Sequence, residues 1–99
     1  MPSASTARNV IVPVKYSRTK IRVDPAGPRR FLVMVDGGRG HSYTLERAIG
    51  RLTRKVGATV ERIGLGAAVY ITFPKYSKAT GAPTDAITDE ILAKFIAGS

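Results

Sequence analysis

Residues 31–36, Phe31-Leu32-Val33-Met34-Val35-Asp36, hold five consecutive apolar side chains, closed by an acid and then by the glycines of Gly37-Gly38-Arg39-Gly40. Successive side chains of a strand point to opposite faces, so a run that is apolar at every position predicts a central strand buried on both sides. Upstream, Thr19 to Asp24 alternates: Thr19, Ile21 and Val23 share one face, Lys20 and Arg22 the other. That is a half-buried strand, and Asp24-Pro25-Ala26-Gly27-Pro28 is expected to stop it. Asn9 to Tyr16 alternates again, with Val10, Val12, Val14 and Tyr16 on one side. Pro13 has no N–H for a ladder, which places this strand at a sheet edge or a bulge. Residues 1–8 are small and polar and read as a mobile tail, leaving 9–99 as one basic domain.

Downstream, Ser42 or Thr44 can cap a helix whose core stripe is Leu45, Ala48, Ile49, Leu52 and Val56. Gly57 is placed to end it in the left-handed conformation. Thr59 to Ile63 reads as a short strand, and Gly64-Leu65-Gly66 as a tight connection. Ala67 to Phe73 reads as a strand with Val69, Ile71 and Phe73 on one face, ended by Pro74. A polar loop, 75–84, leads to a last helix over about Asp85 to Ala97. Its expected cap is Thr84, and Ile87, Ile91 and Phe95 are its apolar line, with Leu92 beside them. The order β-β-β-α-β-β-α predicts an α+β fold: a largely antiparallel sheet of four to five strands with two helices on one face.

The 99 residues carry 43% apolar side chains, enough for one modest core. No apolar run is long enough for a transmembrane helix, and Met1 to Val10 lacks the pattern of a secretory signal. Cysteine is absent, which removes disulfides and thiolate zinc sites and favours a reducing, cytoplasmic setting. Catalysis finds little material. His41 is the single histidine, set in the glycine-rich loop, and the seven carboxylates fall mostly in turns and helix starts. A non-enzymatic protein without metal or cofactor is the expectation.

The net charge is +9. Residues 1–62 hold 13 basic and 4 acidic side chains, and 63–99 hold three of each, so the whole excess lies in the first two-thirds. This asymmetry points to a polyanionic partner, nucleic acid first. One basic group, Arg47, Arg51, Arg54 and Lys55, spans an arc of about 100° on the first helix, where Glu46 is the only acid. Like charges at such spacing repel, so helix stability alone does not ask for them. A second group is Lys15, Arg18, Lys20, Arg22, Arg29 and Arg30, in and around the N-terminal strands. Lys20 and Arg22 point the same way and can lie along a phosphate backbone. Backbone amides of Asp36 to Gly40, with Arg39 and the helix start, can cradle a phosphate, although no Walker or dinucleotide pattern is present. Tyr16 and Tyr70 can stack on unpaired bases.

From Phe31 onward the segments FLVMVDGG, RKVGATVERI, GAAVYITFP and TDEILAKFIA resemble the subtilisin-propeptide and I9-inhibitor family. The resemblance implies a ferredoxin-like two-layer sandwich and, as a function, inhibition of a protease. That family closes with a final strand and an acidic tail that are missing here, and the basic first 30 residues have no place in its pattern. An N-terminal strand would then replace the missing one. The expected function is therefore nucleic-acid binding, DNA or RNA, in a virus, plasmid or chromosome. The alternative is a protein-interaction module: a propeptide-like inhibitor or an assembly subunit, with homodimer pairing through the edge strand near Val10 to Val14. The two differ in whether the basic groups share one surface.

Overall fold

The computed structural model describes residues 10–13, 20–36, 41–64 and 68–98. Its elements are β1 (Val10–Pro13), β2 (Lys20–Gly27), β3 (Arg30–Asp36), α1 (His41–Arg51) prolonged by a π-helical turn (Leu52–Val56), β4 (Thr59–Ile63), β5 (Ala68–Thr72), a 3-10 turn (Thr84–Ala86) and α2 (Asp89–Ala97). Among the described residues, five strands form one sheet in the order β1-β2-β3-β5-β4, all neighbours antiparallel. The α+β class and the order of elements are those expected. β3 and β4 both run against β5, which separates them, so they are parallel to each other and α1 is the crossover between them. Strand number and order differ from a four-stranded ferredoxin-like sheet, because β1 and β2 both stand outside β3.

β1 is an edge strand, as Pro13 requires. The proline–glycine stretch 24–28 does not stop β2, contrary to expectation. The strand continues to Gly27, pairing Pro25 with Phe31 and, across a bulge, Gly27 with Arg30. Among the described residues β1 pairs only with Lys20 to Val23, so none stands opposite Pro25 on that side to want its missing N–H. Pro28 and Arg29 make the turn into β3, with Arg29 in the left-handed region at φ 56°.

The core occupies one face of the sheet. Ile21, Val23, Val33 and Ile71 have no exposed surface, and Phe31 meets Phe73 edge-on at 6.0 Å between ring centres. From α1, Leu45, Ala48, Ile49 and Leu52 close over this face, and from α2, Leu92, Ala93 and Ile96. α2 lies against β1 and β2, and α1 against β3. β3 is central, but it is not buried on both sides. Phe31, Val33 and Val35 are buried, whereas Leu32 and Met34 on the other side are only half-buried. Two helices suffice to cover one face of a sheet this wide, and both lie on the same one.

The first helix loosens at its end. The Thr53 hydroxyl donates to the carbonyls of Ile49 (2.9 Å) and Gly50 (3.1 Å), the kind of back-bonding that opens a helical ladder. The Gly57 N–H then bonds Leu52 O at 3.0 Å, five residues back, and Gly57 takes φ 89° as a left-handed cap. The last helix starts later than the sequence predicts. Its cap is Thr88, whose hydroxyl accepts from the Ile91 N–H at 3.2 Å. Thr84, the expected cap, is buried and donates instead to the Pro74 and Lys75 carbonyls, pinning the loop beneath. The later start turns the helix. Leu92, Ala93 and Ile96 enter the core, while Ile87 and Phe95 pack at its margin and Ile91 is 52% exposed.

One-sided coverage makes a direct expectation. Ile21→Ala should cost about 2–5 kcal/mol in urea unfolding, because it empties a closed site. Leu32→Ala, one strand away on the other face, should cost about 1 kcal/mol. Equal losses would mean that both faces are closed.

Candidate nucleic-acid interface

Strand alternation places one set of side chains on the uncovered sheet face. The antiparallel registers align Ile11, Arg22, Met34, Ala68 and Ile63 in one row across all five strands. The next row is Asp24, Leu32, Tyr70 and Glu61, and a third is Arg30, Thr72 and Thr59. Lys20 projects on the same side, two residues before Arg22. Basic and apolar side chains thus alternate across one surface. Ile11, 58% exposed, forms with Lys20, Arg22 and Met34 a shallow hollow of about 420 Å³ near the β1 edge.

Charge on this face is held loosely. The Arg30 guanidinium lies over the Tyr70 ring at 4.2 Å, donates to Thr72 Oγ1 at 3.4 Å and meets Glu61 at 3.4 Å. Arg22 meets Asp24 at 3.4 Å. Long, solvated ion pairs of this kind contribute little, about 0–1 kcal/mol, and exchange readily for another anion. The Arg30 guanidinium and the Tyr70 ring are each planar groups of the kind on which an unpaired base stacks.

The other basic group belongs to the opposite layer. Arg47, Arg51, Arg54 and Lys55 are all exposed on α1 and its π-helical turn, and Arg51 reaches over the Phe95 ring of α2 at 5.1 Å. The structure adds a residue the sequence did not single out. The Lys78 N–H donates to Val56 O at 2.9 Å, which brings the exposed Lys78 from the loop 75–84 to the basic end of the helix. The two basic groups therefore do not share one surface: the sheet lies between them.

Arg29 joins neither group. It sits in the β2–β3 turn and meets Asp85 at 3.4 Å. Lys15, Arg18 and Arg39 lie outside the described residues, as do Tyr16 and the side chain of His41. Arg62, on the helix side of β4, grips Glu46 with two hydrogen bonds of 2.6 and 2.7 Å. Those bonds hold the Glu46 carboxyl below the ordinary glutamate range; slight burial opposes the shift and charge attraction adds to it. The Arg62 guanidinium is correspondingly raised, again chiefly by the hydrogen bonds.

Between the helices, Leu52, Val56, Ile87, Ile91 and Phe95 line an apolar groove of about 130 Å³. Among the described residues, no cluster of three or more His, Asp or Glu side chains is arranged to hold a metal ion, and no helix is long and apolar enough to cross a membrane. No protein-family model, curated protein or solved structure matches the chain.

The Glu46–Arg62 link gives a pH dependence. Because the folded carboxyl ionises more easily than the unfolded one, its contribution is present above the unfolded glutamate range and is lost as pH falls through the lower, folded value. Glu46→Gln should therefore lower the unfolding midpoint at neutral pH, and the gap from wild type should close as pH falls below the ordinary glutamate range. A gap independent of pH would separate the effect from this carboxylate.

Proposed function

We propose that this chain is a non-enzymatic nucleic-acid-binding protein that holds a single strand on the open face of its sheet. The observation that carries this reading is the uncovered face on which Lys20, Arg22 and Arg30 are interleaved with Leu32, Met34 and Tyr70. Cations beside flat and apolar side chains suit a polymer whose charge and bases alternate. Phosphates exchange with the loose carboxylate partners Asp24 and Glu61, and bases rest on the Arg30–Tyr70 stack or on the half-buried apolar side chains. A duplex fits less well. Its major groove admits a helix or a two-stranded ribbon, and a five-stranded face is too broad to enter. The parallel pair β3 and β4 with β5 between them, and both helices on one face, support a ferredoxin-like relation, an architecture that serves many functions.

A second reading, a protein-interaction module such as a protease inhibitor or assembly subunit, gains from the separation of the two basic groups, from the exposed Ile11 on the edge strand β1, and from one further feature. The groove between the helices leaves Ile91 half exposed beside Ile87 and Phe95.

The deciding experiment is a salt series of binding to labelled single-stranded DNA and RNA. Wild type should show a log–log slope that becomes shallower by about 2 units when Lys20, Arg22 and Arg30 are all changed to Ala, at about 0.7 per phosphate. Tyr70→Ala should weaken binding by about 1–3 kcal/mol with little change in slope. Absence of binding to both polymers at low salt would overturn the proposal and leave the protein-interaction reading.

A further inference from the structure

We infer that the protein bridges two nucleic-acid segments, one on each layer, rather than holding one. This rests on the proposed binding by the sheet face. It adds a second site on the outer surface of α1 and its π-helical turn.

Three observations carry the second site. First, countercharge is sparse at three of the cations there, Arg51, Arg54 and Lys55. Among the described residues no carboxylate pairs with Arg51, Arg54 or Lys55. The one acid of the helix, Glu46, is held at the β4 side by both arms of Arg62. The helix dipole accounts for cations in the last turn, but Arg51 stands about one turn earlier. Second, the loop 75–84 extends the basic surface beyond the helix. Lys78 is fixed beside the helix end by its bond to Val56 O, so the group is drawn from two separate segments of the chain. Third, the surface is preorganised. Arg51 rests over Phe95, and the π-helical turn is capped by Gly57, so a strand meets a fixed backbone and one cation already held in place.

The sheet face and this surface point away from each other, across a molecule whose shortest extent is 26 Å. A short strand lying on one cannot touch the other without leaving its site and passing round a sheet edge. Two short strands can bind together, and each is read by charge: Lys20, Arg22 and Arg30 on one side, Arg47, Arg54 and Lys55 on the other.

The test uses the full chain and single-stranded hexamers, too short to reach from the middle of one face to the middle of the other round a sheet edge. An immobilised hexamer should capture a second, labelled hexamer in the presence of the protein, and titration calorimetry should give two hexamers per chain. An Arg47→Ala, Arg54→Ala, Lys55→Ala variant should bind one hexamer per chain, lose co-capture at least tenfold and keep the Tyr70-dependent affinity. The Lys20→Ala, Arg22→Ala, Arg30→Ala variant should also keep one site, now insensitive to Tyr70→Ala. Circular dichroism checks that these surface variants fold. Co-capture at one hexamer per chain would overturn the inference in favour of bridging by a dimer. One hexamer per chain without co-capture would overturn it while leaving the sheet-face reading intact. No binding by any form would overturn both.

Discussion

Everything in this fold depends on a mismatch between strand and layer: β3 is apolar on both sides, but helices cover only one of them. The row Val23, Val33 and Val69 crosses the three inner strands on the covered side, with almost no exposed surface. Ala48 and Ala93, equally buried, keep the side chains short where the helices meet the sheet. Burial of this row and its neighbours contributes about 1.5–3 kcal/mol per large side chain. The opposite row, Arg22, Met34 and Ala68, gains far less, because only half of its surface leaves water. A chain of this size has one core to build, and the second face of β3 is left over as a surface.

The same partition sorts the charge. Lys20 and Arg22 are on the open face because Ile21 and Val23 are in the core, and a period of two allows no other arrangement. Arg62 alternates with Glu61 and so falls on the helix side of β4, where it reaches Glu46. That pair removes the one negative charge from α1 and leaves the outer helix surface basic. The ion pairs on the open face are longer and weaker, which suits a surface that trades partners. Two basic surfaces thus emerge from one alternating pattern, each set by what its strand or helix buries on the other side.

The helix layer carries its own departure from ideal packing. Starting α2 at Asp89, after a separate 3-10 turn, turns Leu92, Ala93 and Ile96 inward and leaves Ile91 at the rim of a groove. The start is set by the Thr88 cap, while Thr84 is held to the Pro74 and Lys75 carbonyls and opens the separate 3-10 turn. Across the groove, Thr53 loosens the end of the first helix, and Arg51 covers Phe95.

By itself the sequence determined the class and order of elements, because these depend on local period and on residues with fixed backbone preferences. Ile21 and Val23 against Lys20 and Arg22, the stripe Leu45 to Leu52, Gly57 as a left-handed cap and Pro13 at an edge are all legible in this way. Of the candidate site, it identified Lys20, Arg22, Arg30 and the cations of α1, together with Tyr70. It did not show that the sheet divides the basic residues, that Arg29 is taken up by a turn and Asp85, that Lys78 joins the helix, or that Thr88 rather than Thr84 begins the last helix. Those outcomes were decided by tertiary structure. Periodicity states which side chains share a face, but only contacts between distant segments decide which face another layer will cover.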